Sequence, residues 1–193
     1  MKRLNRIQMS SIAIGLVAVA GLIFFSTSSV ITQPAADDSH AAVTTWLIGS
    51  CDVEEEGKLE KELRASATRF EPVFLRAFEQ GPDISLVKEV EQAAAKRFER
   101  RQEVLKSESP AGLSKEDLAV ARSVGRDQFI AQAKDDFVVR YKSRALLGLG
   151  VVDGPKALEV LQRTASDEKS PLKGSAEQAL IKLQQYKKAE GQK

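Results

Sequence analysis

Apolar residues recur at helical spacing along most of the chain after residue 37. Phe70, Phe74 and Phe78 lie four residues apart, and the long charged segment 83–106 carries its apolar residues on one face. A repeat of three to four residues is the period of an amphipathic α-helix whose apolar side packs on a core. The pattern therefore predicts an all-α domain of roughly seven or eight helices, with the three phenylalanine rings in its core.

Capping residues and prolines mark the ends of these predicted helices. The pair Gly154-Pro155 places a proline in a first helical turn, where its missing N–H costs little. Ser114 followed by Asp117 resembles a capping box, which satisfies the free N–H groups at a helix start. Each of five prolines after residue 37 is expected at a helix boundary; these are Pro72, Pro82, Pro110, Pro155 and Pro171.

One segment has the composition of a β-strand. Residues 42–48, with the sequence AVTTWLI, are rich in β-branched and aromatic side chains. No second segment of similar composition is available to pair with it, and an isolated strand is not stable. We therefore predict a helix that begins near the acidic residues at 37–39.

The first 36 residues differ from all that follow. Lys2, Arg3 and Arg6 precede the apolar run Ile12–Phe25, and no charged residue occurs between Arg6 and Asp37. This order of basic, apolar and then small polar residues is typical of an export signal. The segment either is cleaved or stays as a single-pass anchor, and we favour the anchor because uncharged residues extend the apolar run on both sides. Its predicted membrane positions include Ile12, Leu16, Val19, Leu22 and Phe25.

The chain thus divides into an export segment with a short linker (1–36), a helical domain (37–186) and a flexible tail (187–193). The C-terminal domain is expected outside the cytoplasm, which means the periplasm if the protein is bacterial. The whole chain carries a net charge of +2, but three of its basic residues and no acidic ones precede residue 37. The exported part is therefore close to neutral, and we expect no nucleic-acid partner.

Residue counts exclude most site chemistry. The chain has one Cys and one His, too few for an internal disulfide or for a zinc centre built on several of these ligands. We therefore predict no catalytic residues, no metal, no cofactor and no enzymatic activity. The densest basic cluster is Lys96, Arg97, Arg100 and Arg101, with Glu99 and Glu103 interleaved. This pattern is typical of a solvated helix face, and a site for an anionic partner is the alternative.

A weak internal repeat links two of the predicted helices. Residues 143–149 (SRALLGL) align with residues 177–183 (EQALIKL) at an offset of 34, with a turn and a second helix between them. This order resembles the HEAT and HEAT-like family of helical repeats over about residues 137–183. The resemblance implies helical hairpins stacked as a short solenoid, which is a scaffold that binds protein rather than a catalyst. A compact helical bundle is the alternative architecture.

These observations lead to two functional hypotheses. The first is an exported, membrane-tethered helical scaffold or adaptor that binds another protein. The alternative is a soluble helical domain that binds a small ligand, with Trp46, Phe70, Phe74 and Phe78 lining the pocket.

Overall fold

The computed structural model describes residues 38–49, 53–106 and 114–190, all within one compact unit of the chain. These ranges contain eight α-helices and no strand, so the prediction of an all-α domain is confirmed. The helices are α1 (Asp38–Ile48), α2 (Val53–Ala65), α3 (Ala67–Gln80), α4 (Ile84–Leu105), α5 (Lys115–Ser123), α6 (Arg126–Val152), α7 (Pro155–Ser166) and α8 (Lys173–Glu190). No helix in the described ranges is both long enough and apolar enough to cross a bilayer.

The predicted export segment lies outside the described residues, and so do its positions Ile12, Leu16, Val19, Leu22 and Phe25.

Local signals in the sequence set several helix ends. The strand-like segment 42–48 is helical and forms most of α1, which ends where Gly49 takes a left-handed φ of 92°. Ser114 precedes α5, and its hydroxyl accepts the backbone N–H of Asp117 at 3.0 Å, as the capping-box interpretation predicts. Pro155 is the first residue of α7. These ends follow from residues close in sequence.

One predicted helix boundary is wrong. Pro72 lies inside α3 and does not mark an end of that helix. Proline cannot donate the N–H that would bond the carbonyl of Thr68, but both residues are exposed, so water can satisfy that carbonyl. At the C-terminus, α8 continues through residue 190, past the start of the predicted tail at 187. Lys187 forms an ion pair with Asp153 at 3.1 Å, which ties this last part of α8 to the end of α6.

Helix α6 is the centre of the fold. It has 27 residues, which makes it about 40 Å long, and it packs against α1, α2, α3, α4, α7 and α8. Its second half lies in the main hydrophobic cluster, where Ala145, Leu146 and Leu149 are fully buried. Phe70 and Phe74 of α3 are also buried there, and Phe78 packs at the edge, which confirms their predicted place in the core.

Two glycines of α6 allow its neighbours to approach closely. A Cβ at Gly148 would lie 2.5 Å from the ring of Phe74, and one at Gly150 would lie 2.6 Å from the carbonyl oxygen of Ala179. Such distances are too short for a real side chain. Helices α3 and α8 therefore pack at their observed separation only because these two positions lack side chains.

The first half of α6 and the two helices before it form a separate part of the domain. The main hydrophobic cluster includes no residue of α4 or α5. Among the described helices, α4 packs only against α6 and α5, and α5 packs only against α4. We call α4, α5 and residues 126–140 the arm. Its own contacts include the rings of Phe98 and Phe129, whose centroids are 5.7 Å apart.

Candidate interaction surface

The structure divides the predicted basic cluster into two groups. Arg101 lies partly buried between helices of the arm, where its Nη2 donates a hydrogen bond of 2.9 Å to the carbonyl of Ala121 on α5. Its guanidinium also lies 5.4 Å from the centre of the Phe129 ring on α6. Arg101 therefore holds the arm together. Its position three residues after Phe98, on the buried face of α4, was a signal of this role that the sequence interpretation missed.

The other three members of the cluster are exposed. Lys96, Arg97 and Arg100 form no ion pair with any described residue, whereas Glu103 nearby pairs with Lys106 at 2.7 Å. Among the described residues, these three cations are thus exposed groups on the surface of α4.

Arg97 and Arg100 belong to a longer exposed row. Ala93, Arg97, Arg100 and Val104 are spaced by four, three and four residues, which places them on one face of α4. All four are exposed, and Val104 has 61% of its surface accessible. We call these four residues the α4 stripe. The sequence interpretation named the two arginines and missed Ala93 and Val104, although the spacing was visible in the sequence.

Helix α5 fixes the end of α4 that carries the stripe. Arg122 lies in the last turn of α5, and its Nε and Nη2 both donate to the carbonyl oxygen of Leu105, at 3.1 and 2.8 Å. This oxygen belongs to the last residue of α4, where carbonyls lack a partner within the helix. Leu105 and Leu118 are buried beside this contact. The stripe is therefore presented on a helix whose C-terminal turn is held in place.

A cluster of polar side chains connects four helices of the core, α1, α2, α6 and α8. Trp46 is fully buried, and its indole N–H donates to the carbonyl of Arg144 at 2.8 Å. Arg144 returns a hydrogen bond from Nε to the carbonyl of Trp46 at 2.8 Å and bonds Glu56 through Nη1 at 2.7 Å. Its guanidinium lies 4.5 Å from the centre of the indole ring. These contacts connect α1, α2 and α6.

The same cluster of polar side chains extends to α8. Glu60 accepts a hydrogen bond from the hydroxyl of Tyr186 and pairs with Lys182, while the guanidinium of Arg64 stacks on the Tyr186 ring at 3.8 Å. Burial, followed by the hydrogen bond and charge of Glu60, raises the pKa of Tyr186 well above its ordinary value of 10.0, and Arg64 partly opposes this shift. The phenol therefore stays protonated. Every charged group here has an opposite partner or a ring contact, which indicates a structural role.

The four aromatic residues proposed to line a ligand pocket lie in or against the core. Trp46 and Phe74 have no accessible surface, Phe70 has 2%, and Phe78 packs against the same cluster. Two surface grooves lie among the described residues without any of these rings in their lining. The larger groove lies between α3 and α7, has a volume of about 420 Å³, and includes Leu75 and Val160 with charged residues around them.

The described residues contain no cluster of three or more His, Cys, Asp or Glu side chains that could hold a metal ion. Comparison of the chain with protein-family models, curated proteins and solved structures gives no significant match.

Proposed function

We propose that this protein is a non-enzymatic helical adaptor, exported and held at a membrane by its N-terminal segment, that binds another protein. The observation that carries the proposal is the arm. Its helix α4 is separate from the main hydrophobic core and leaves one face open, with cations on that face that no described residue neutralises.

The internal contacts of the arm suit it to presenting a surface. Arg101 and Arg122 bond carbonyls of the facing helices, and the Phe98 and Phe129 rings pack between α4 and α6. A helix that is already ordered loses less conformational entropy on binding than a flexible segment does. This preorganisation supports a docking function, in which a partner packs against the exposed face of α4.

The membrane tether is proposed from the sequence of the first 36 residues. Their basic start and apolar run are typical of a signal anchor, and they support an orientation with the helical domain outside the cytoplasm. A tethered adaptor needs affinity for a partner protein but no active site of its own. The near-neutral charge of the remaining chain agrees with a protein partner and does not favour nucleic acid.

The architecture of this adaptor is proposed as a compact bundle that contains one repeat-like helix pair. Helices α6 and α8 pack on each other, and the aligned residues Ala145 and Ala179 are both fully buried, which supports a common pattern in the two helices. In a solenoid, however, each unit contacts only its sequence neighbours. Because α6 also contacts α1 and α2, the bundle alternative has more support than a HEAT-like array.

Small-ligand binding is the second candidate, and the groove between α3 and α7 is the observation that favours it. Its volume of about 420 Å³ lies within the range of ligand pockets, about 300 to 1,000 Å³. However, the aromatic residues first proposed for ligand contact are in the core and do not line this groove. We therefore rank ligand binding below protein binding.

The two candidate functions, protein binding and ligand binding, and the membrane anchor are tested together on the full chain. We expect the protein to sediment with membranes, to keep its N-terminus in the mature chain, and to be cleaved by protease added outside the cytoplasm. After mild detergent extraction, we expect one other polypeptide to copurify at fixed stoichiometry. If a thermal-shift screen finds a small molecule that raises the melting temperature while no polypeptide copurifies, the ligand-binding alternative replaces the adaptor.

A further inference from the structure

We propose that the α4 stripe binds an acidic amphipathic helix of the partner protein. This inference rests on the proposed adaptor function and adds to it the binding surface and the chemistry of the partner. The bound helix would place apolar side chains against Ala93 and Val104 and carboxylates against Arg97 and Arg100.

The spacing of the stripe is the spacing that helix–helix contacts use. Residues separated by alternating steps of three and four form a continuous row along a helix, into which side chains of a second helix can pack. The stripe extends from Ala93 to Val104, or about 16 Å. A partner helix of about three turns covers that length. Small Ala93 at one end lets the two backbones approach, and Val104 at the other end offers apolar surface that is 61% exposed.

The charges of the stripe favour an acidic partner and oppose pairing with the same stripe on a second copy of the chain. In a parallel pair of α4 helices, Arg97 would face the Arg97 of the other copy. In an antiparallel pair centred on the stripe, Arg97 would face Arg100. Both arrangements bring like charges together, which opposes association. Carboxylates on a partner helix would instead form bidentate ion pairs with these guanidinium groups.

The same geometry favours a helix over an anionic membrane surface. Glu99 and Glu103 are exposed on α4 beside the stripe, and Glu89 is exposed one turn before its first residue, Ala93. A flat anionic bilayer would contact these carboxylates together with the arginines, so repulsion would offset attraction. A helix contacts only a narrow row of its neighbour and can meet the stripe alone.

Site-specific photo-cross-linking of the full chain in its own cells tests this proposal. p-Benzoylphenylalanine is placed at Val104 in the stripe, at the exposed Gln92 of α4 outside the stripe, and at the exposed Ile181 of α8. Cross-linked segments are identified by mass spectrometry. We expect the probe at Val104 to label an Asp- and Glu-rich helical segment of one other protein, with a yield about tenfold above that from Gln92.

Charge reversal supplies the matched comparison. The double variant Arg97→Glu with Arg100→Glu should lower the Val104 cross-link about tenfold, and Lys88→Glu, on another face of α4, should leave it unchanged. Circular dichroism checks that each variant keeps its fold. Labelling of lipid, of a second copy of this chain or of a segment without carboxylates overturns the proposal, and so does an unchanged yield in the double variant.

The probe on α8 separates failure of this inference from failure of the proposed function. If Ile181 labels a partner protein and Val104 does not, the adaptor function stands and the α4 stripe is the wrong surface. If neither position labels a protein and the detergent extract contains the chain alone, both proposals are wrong.

Discussion

The carboxylate of Glu71 on α3 caps the start of α7 by accepting the backbone N–H of Ala157 at 2.8 Å. The same oxygen accepts the N–H of Lys156 at 2.8 Å, so one side chain satisfies two of the N–H groups that a helix leaves free at its first turn. Glu71 is only 7% exposed, and a Cβ at Gly154 would lie 2.0 Å from its carboxyl carbon. Glycine at 154 therefore makes room for a negative charge at the positive end of α7.

Removal of this cap should destabilise the domain. Glu71→Ala removes the carboxylate that accepts both N–H groups. The N–H of Lys156 then loses its acceptor, and that of Ala157 keeps only the Gly154 carbonyl at 3.2 Å. We expect the free energy of unfolding to fall by about 1–3 kcal/mol in urea titrations. Glu71→Gln keeps an acceptor oxygen but removes the charge, so it should lower the free energy of unfolding by less than Glu71→Ala does. The control is Glu79→Ala on the exposed side of the same helix, for which we expect a change within about 0.5 kcal/mol. Equal effects at 71 and 79 would refute the capping role.

The close approach of the helices at α6 gives a second prediction. Gly148→Ala forces a methyl group against the Phe74 ring and should lower the free energy of unfolding by about 1–3 kcal/mol. The methyl group of Gly150→Ala would clash with the backbone of Ala179, which cannot rotate away as a ring can. We therefore expect Gly150→Ala to lower the free energy of unfolding more than Gly148→Ala does. The measurement is the midpoint and slope of urea unfolding for each variant.

Gly57 provides the matched control for both substitutions. It lies inside α2, and a Cβ built there has no atom within 4 Å apart from its chain neighbours and the backbone of its own helix. Alanine has the higher helix propensity, so Gly57→Ala should stabilise the domain by about 0.5–1 kcal/mol. Stabilisation by all three alanines would contradict the described packing around α6.

The contact between Trp46 and Arg144 gives a third prediction. Arg144→Met removes the donor to the Trp46 carbonyl and leaves Glu56 without its partner, so we expect a loss of about 2–3 kcal/mol. Arg144→Lys keeps the charge but cannot reproduce the forked geometry, and it should recover only part of that loss. Arg140→Met, one turn earlier on α6, is the control. Arg140 is exposed and its guanidinium lies 5.8 Å from the centre of the Phe137 ring, so we expect a change of about 1 kcal/mol or less. Full recovery by lysine would show that only the charge matters.

The raised pKa values of two tyrosines predict how the free energy of unfolding changes at alkaline pH. Burial and then Glu60 raise the pKa of Tyr186, and burial and then Asp83 raise the pKa of Tyr141, both from an ordinary value of 10.0. The folded state therefore holds these protons more tightly than the unfolded state. Their contribution to stability is fully present below pH 10 and decreases as the pH rises above it, because only the unfolded tyrosines then ionise.

Two measurements check this dependence. Absorbance at 295 nm should show that neither tyrosine of the folded protein ionises at its ordinary pKa of about 10. Between about pH 9 and about pH 11, the free energy of unfolding should fall less in Tyr186→Phe than in the unchanged protein. An identical decrease in both proteins would mean that the environment of Tyr186 does not shift its pKa.

The features that sequence predicts correctly depend on neighbours along the chain. Helical spacing identified Phe70 and Phe74 as core residues, and the local signal of Ser114 and Asp117 gave the start of α5. Segment 42–48 is helical against its β propensity, because a strand needs a partner strand and the part of the chain that the structure describes contains none.

The features that sequence did not reveal depend on tertiary contacts. Glu71 caps a helix that begins more than 80 residues later, and no spacing rule connects such positions. The inclusion of Pro72 within α3 depends on the exposure of that side of the helix, which only the packed fold defines. The basic cluster was assigned as a unit because its residues are adjacent in sequence, but one of them, Arg101, points toward α5 while Arg97 and Arg100 remain exposed.

The mass of the detergent-extracted complex tests the central claim most directly. Size-exclusion chromatography with light scattering measures the mass of the full chain purified from its own membranes. We predict a complex that contains a second polypeptide at fixed stoichiometry and that dissociates in the double variant Arg97→Glu with Arg100→Glu. A lone monomer, extracted under conditions that preserve other membrane assemblies from the same cells, would contradict the claim that this protein is an adaptor.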